Sequence, residues 1–223
     1  MGDAIGQILP IAVGVAISPL PIVAVVLMLV TPGGRVNGPA FVLGWIVGLA
    51  LIGAVVLAVA SGAGASDDGA PATWVSVLKL GLGLLVLLLG VKQFRGRPHG
   101  DTAPETPKWM RALDRFTPVK AAGAGVALSA VNPKNLLLAI AGAATIAQTG
   151  IDAGEQAIAY AVFVVIATAG VALPVAIALA LGERSREPLD RLNRWLSENN
   201  AVIMAVLMAV IGSKLIGDAI SGF

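Results

Sequence analysis

The chain has no cysteine, which excludes disulfides, thiol redox chemistry and thiolate metal sites together. Its single histidine, His99, sits among Pro, Gly and Asp in a polar stretch and reads as solvated and inert. Charged residues make up only 13% of the sequence against 57% hydrophobic ones, too little charge to cover the surface of a soluble domain. No Asp or Glu falls at depth in a long apolar run, although membrane proton and sodium pathways are usually built on such a carboxylate. Without histidine or carboxylate in those runs, no nucleophile-and-base pair and no metal cluster can be assembled, and no Gly-rich phosphate loop is present. These absences point to an integral membrane protein that is not an enzyme, takes no cofactor and no metal, and has no nucleic-acid partner.

What is present is apolar length. Six segments, near 7–30, 38–60, 74–93, 120–147, 156–181 and 199–220, meet the requirement of roughly 17–25 residues for a membrane-spanning helix. Met1-Gly2-Asp3 has no basic n-region, so the first segment is expected to be a retained span. Basic residues fall after the first, third and fifth segments: Arg35, then Lys92 to Lys120, then Arg184 to Arg194. The intervening connections carry Asp67 and Asp68, and Asp152 and Glu155, without Lys or Arg. The positive-inside rule then puts the basic connections in the cytoplasm and both termini outside. The expected fold is all-α: one six-span domain over 1–223, with three-span halves at 1–95 and 120–223 joined by a cytoplasmic loop at 96–119.

Two of the segments are interrupted. Ser18-Pro19-Leu20-Pro21 breaks the first, and Asn132-Pro133-Lys134-Asn135 breaks the fourth. Proline removes a backbone N–H and clashes with the preceding turn, so Pro19, Pro21 and Pro133 are helix breaks. The freed carbonyls must find partners inside the protein or in a wet cavity. Lys134 lies about 20 Å of helix from either end of its segment, too far to reach the headgroups. A charge at that depth costs at least about 2.5–3.5 kcal/mol and marks a functional site by default. Gly14-Val15-Ala16-Ile17-Ser18 and Gly125-Val126-Ala127-Leu128-Ser129 precede the two breaks at a separation of 111 residues, a weak internal similarity. Three spans followed by three of opposite sense make an inverted-topology repeat, in which paired broken helices build the substrate site near the midplane. Ser18, Asn132, Lys134 and Asn135 are the candidate substrate-binding residues, suited to an anionic or polar group.

The remaining features read as structural. Lys79 and Lys214, near the outer ends of their spans, are expected to snorkel to the headgroups. Gly44 and Gly48 have small-xxx-small spacing, a seam for a helix of this chain or of a homodimer partner. The stretch 61–72 is expected to be a flexible acidic loop. Trp109, Leu113 and Phe116, and again Leu189, Leu192, Trp195 and Leu196 after Pro188, form apolar faces of short basic helices suited to the inner membrane surface. Pro174 is a further kink, with Thr168 as a hydroxyl partner, and Asn199-Asn200 marks a helix start.

The six-span order, Ser18-Pro19-Leu20-Pro21, Asn132-Pro133-Lys134-Asn135 and the lead-in from Lys108-Trp109-Met110 to Thr117-Pro118 together resemble one actinobacterial group. It is the family of peptidoglycolipid- and sulfolipid-addressing proteins, called GAP or Sap-like, in the lysine-exporter superfamily. The resemblance covers essentially the whole chain, and Asn132-Pro133-Lys134-Asn135 is its most specific part. It implies a plasma (inner) membrane protein that moves a glycolipid or its precursor toward the cell envelope, with a membrane lipid as substrate. Alternating access by rocking one three-span half against the other is the expected mechanism. The superfamily also implies a small-solute exporter of amino acids or cations as an alternative, and a non-transporting partner of a larger lipid-export complex as another.

Overall fold

The computed structural model describes residues 1–62, 66–67, 70–71, 73–95 and 116–222. These residues are helical apart from a two-residue antiparallel pair, Ser66–Asp67 with Ala70–Pro71, inside the stretch expected to be an irregular loop. The helices are α1 (Gly2–Ala16), α2 (Pro19–Leu29), α3 (Gly34–Gly62), α4 (Thr73–Arg95), α5 (Pro118–Val126), α6 (Pro133–Ala147), α7 (Ala153–Leu181) and α8 (Arg186–Ile220). His99, Trp109 and Leu113, and with them the amphipathic helix of the 96–119 loop, lie outside the described residues.

By length and composition, Gly34–Ser61, Thr73–Arg95 and the stretch Ala153–Ile220 are apolar enough to cross a membrane. The count rises to five when the bent pairs α1–α2 and α5–α6 are each taken as one span. The 68-residue stretch Ala153–Ile220 is not one rod. It is divided by a 3-10 turn at Gly182–Ser185, where Gly182 adopts a φ of 55° that favours glycine. The chain is therefore a helical membrane protein.

The helices alternate between two ends. Arg35 and Thr31, in the turn between α2 and α3, share a cleft with Gly182, Glu183 and Arg186 in the turn between α7 and α8. Asn37 at the start of α3 donates to the carbonyl of Phe116 just ahead of α5, at 2.9 Å. At the other end, Gln7, Lys79, Gln148 and Asp218 surround a common cavity.

The helix ends follow from the sequence. In α1, the carbonyls of Val15 and Ile17 would need the N–H groups of residues 19 and 21, and both are proline. Ser18 and Asn132, each followed by proline, adopt the extended conformations that position favours (ψ 100° and 118°). The chain bends by 50° between α1 and α2 and by 64° between α5 and α6. Pro174 makes no comparable break: α7 runs through it, and Thr168 donates to the Val164 carbonyl one turn back. Nor does a helix start at Asn199-Asn200, since α8 is continuous from Arg186. Leu189 and Leu196 pack into the core instead of lying on a membrane surface, and only Trp195 of that face is exposed. Lys79 does not snorkel. It is 3% exposed, buried at the far end of the bundle, while Lys214 pairs with Asp218 four residues on.

Packing is closest where glycine removes the side chain. The core is centred on Phe41, Trp45, Leu138 and Phe163. α3 lies against α5, α6 and α7; α1 lies against α6 and α7; α4 lies against α8; and α2 lies against α7 and α8. A Cβ on Gly44 would stand 1.9 Å from the Ala122 carbonyl oxygen, and one on Gly48 would stand 2.0 Å from Ser129 Oγ. Gly44 and Gly48 thus form a seam within this chain, for α5. Gly170 does the same for α1, with the Ala16 carbonyl oxygen 1.9 Å from its missing Cβ. Because backbone is what would be struck, Gly44→Val and Gly170→Val are expected to cost about 1–3 kcal/mol or more. Thermal unfolding of the purified chain in detergent would read this as a lowered midpoint, with Gly81→Val, which meets open space, as the comparison.

Candidate functional site

The two breaks meet, and the side chains of Asn132-Pro133-Lys134-Asn135 stitch them together. In the fourth segment the helical ladder shifts register through a π turn at Ala127–Val131, with Asn132 N–H donating to the Ala127 carbonyl at 3.1 Å. That register would give the Leu128 carbonyl to residue 133, which as proline has no N–H. Asn135 Nδ2 supplies the missing donor at 2.9 Å. Its other side-chain atom, Oδ1, accepts from Ser18 Oγ at 3.2 Å, across the bundle. One amide therefore serves both interruptions.

Lys134 completes the arrangement. Its ammonium donates at 3.3 Å to the Ile17 carbonyl, one of those deprived by a proline. Ser18, Lys134 and Asn135 are all buried (2%, 4% and 0% exposed). Asn132 caps α6, its Oδ1 accepting from the Lys134 N–H at 3.1 Å. Pro19 and Pro21 are buried, whereas Pro133 is exposed. All seven residues singled out in the sequence thus lie at one locus, in two tiers. Asn135 works inside the protein, while Ser18, Asn132, Pro133 and Lys134 line a cavity.

That cavity has a volume of about 510 Å³, within the range of small-molecule pockets. It lies between α2, α4, α6 and α8, and reaches from Lys134 towards the end bearing the basic turns. The sequence reading missed much of its wall: Lys92 and Gln93 from α4, and Asn200, Met204 and Met208 from α8. Lys92 was visible only as a topology marker and Asn200 only as a helix start. The signal available was a pair of asparagines inside what is one long helix.

Electrostatically, the cavity is one-sided. Among the described residues, Lys92 and Lys134 line it and no acidic residue does. Among the described residues no carboxylate pairs with Lys134. An ammonium has three donors, and among the described residues only the Ile17 carbonyl accepts one. A buried cation left with spare donors at a cavity wall favours an anionic or strongly polar guest. The N-termini of α2 and α6 at the break add positive dipole ends of the same sign. Ser18 is not set up as a nucleophile, because its hydroxyl donates to an amide oxygen, which is no general base.

A family model described as "Sap, sulfolipid-1-addressing protein" matches residues 8–221. The chain belongs to that family. No curated protein and no solved structure matches it.

The network makes a specific demand on Asn135. Asn135→Leu leaves the Leu128 carbonyl buried without a donor and is expected to cost about 1–3 kcal/mol, read as a lowered unfolding midpoint in detergent. Asn135→Asp keeps the acceptor for Ser18 but loses the donor to Leu128, and should be no milder.

Proposed function

We propose that this protein is a six-span lipid exporter of the plasma membrane. It takes an anionic or polar glycolipid, or its precursor, by the headgroup at the meeting point of two broken helices and passes it toward the cell envelope. The observation that carries this is Lys134: a buried cation with donors that no described residue accepts, on the wall of a cavity that none of the described carboxylates lines. The cavity wall also contains Leu20, Leu89, Met204 and Met208, so a polar floor adjoins an apolar side, as an amphiphile requires. That wall favours a lipid over the small solute of the competing reading. The family's description points to the same class of molecule. We take the protein to act as a carrier without covalent chemistry or cofactor.

Six spans are favoured because α8 starts at the cleft where α7 ends and itself ends at the cavity lined by Gln148, close to where α7 begins. An inverted repeat is favoured by the packing. Exchanging the halves carries the α1–α7 contact onto α5–α3, and leaves α4–α8 and α3–α7 as self-matching pairs. The same packing bears on alternating access. Each half lends its first helix to the other, at glycine contacts with backbone, so the halves are interlocked against rocking as two rigid bodies. The paired helices α4 and α8, which form one wall of the cavity, are the more natural moving unit.

Two experiments test this. Lys134→Met should reduce the lipid exported to the envelope by at least about tenfold in a strain lacking the native protein, while the variant inserts with wild-type helical content; undiminished export would sink the assigned role. For topology, the cysteine-free chain accepts single reporters. Asp152→Cys should react with an impermeant maleimide in intact cells, and Glu183→Cys only after permeabilisation. Reaction of both from the same side would rule out six spans.

A further inference from the structure

The end of the bundle opposite the basic turns contains a second cavity, of about 390 Å³. Gln7, Lys79, Gln148, Thr149, Asp218 and Ser221 line it, contributed by α1, α4, the ends of α6 and α8, and the residues just beyond those ends. Lys79 is as buried as Lys134 and makes no hydrogen bond among the described residues. Asp218, the one described carboxylate lining the cavity, is already engaged by Lys214, so among the described residues two cations share one acid. Gln148 Nε2 is buried without any acceptor. Two donors on one cavity wall, one of them charged, thus have no hydrogen-bond acceptor among the described residues, at a cost in free energy.

An apolar groove adjoins this cavity, and successive residues of the same elements line the two. Val75 and Leu78 face the groove while Lys79 faces the cavity; Ala144 and Ala147 face the groove while Gln148 faces the cavity. Val55, Val59 and Ile140 complete the groove, whose volume is about 160 Å³. Trp74, half-exposed at its rim, is the residue type that settles at the headgroup level of a bilayer. Lys79 then lies about 7–8 Å below it along α4.

We infer that this end carries a second lipid site, independent of the one at Lys134: an anionic headgroup sits against Lys79 and Gln148, and one acyl chain lies in the groove between Val59, Leu78 and Ala144. The occupant is an anionic acyl lipid because both halves of that chemistry are built side by side. A free anion would leave the groove empty, and a neutral amphiphile would leave Lys79 unanswered. Placed at the far end of the path from the central cavity, the site suits a lipid on its way out into the leaflet.

The test uses the full chain in phosphatidylcholine nanodiscs containing a small fraction of phosphatidylglycerol with a photoreactive diazirine on its acyl chain. Crosslinks should concentrate on Val55, Val59 and Ala144. Lys79→Met should reduce that labelling at least about tenfold, and Lys79→Arg should largely restore it. Ala144→Trp, which fills the groove and leaves Lys79 in place, should reduce it likewise. Equal labelling by a diazirine phosphatidylcholine would mean annular lipid only and would overturn the site, as would unchanged labelling in both Lys79→Met and Ala144→Trp. Far-end labelling and export by the Lys134 variant are separate readouts, so either site can fail without the other.

Discussion

Inside a bilayer, a backbone carbonyl without a donor has no water to turn to. Three prolines in two spans create several such carbonyls at the middle of this molecule, and the fold is arranged around answering them. The prolines decide where the helices stop, and the π turn decides which carbonyl of the fourth segment goes without. Asn135 and Lys134 answer one on each side. Because both answers come from the residues following Pro133, the second broken helix must lie against the first for either to be satisfied. The proposed recognition and the architecture therefore share the same few groups. The chemistry that would greet a headgroup is what remains after the backbone has taken its share: two donors of one ammonium, the Asn132 amide group and the dipole ends of two short helices.

Much of this was legible in the sequence because it is local. Proline removes a specific N–H whatever surrounds it, so Pro19, Pro21 and Pro133 announced the breaks. A lysine in the middle of an apolar run announced a buried cation, and it lies at a cavity wall. The alternation of basic and acidic connections agrees with the grouping of Arg35 with Gly182 at one end and of Gln7 with Asp218 at the other. What local reasoning missed depends on which helices become neighbours. Lys79 looked free to reach the headgroups because its distance from the helix end is short. It is buried because α1, the end of α6 and the end of α8 close around it. Gly44 and Gly48 read as a seam without an owner, and the owner proved to be α5 of the same chain. Asn200 looked like a cap because asparagine caps helices well; only the unbroken course of α8 makes it part of a cavity wall.

The same contrast separates the two lysines from the other basic residues. Arg35, Arg184 and Arg186 lie at turns, and Arg186 pairs with Glu183 three residues back. Lys79 and Lys134 each occupy a wall between helices drawn from both halves of the chain. Neither would be buried in a three-helix fragment, so both sites are products of the whole assembly.

The contact between Gly170 and Ala16 has a consequence for how the molecule is made. Ribosomal synthesis delivers α1 first, yet the helix that seats against its end lies some 150 residues later in the chain. Until α6 arrives the break of the first span has no partner, and until α7 arrives its flank at Ala16 is unfilled. Contacts between residues so far apart in the chain form slowly. A nascent chain of this protein therefore spends much of its synthesis with the first break exposed to lipid, water or the insertion machinery. The glycine at 170 is where the early part of the molecule finally becomes committed to its structure.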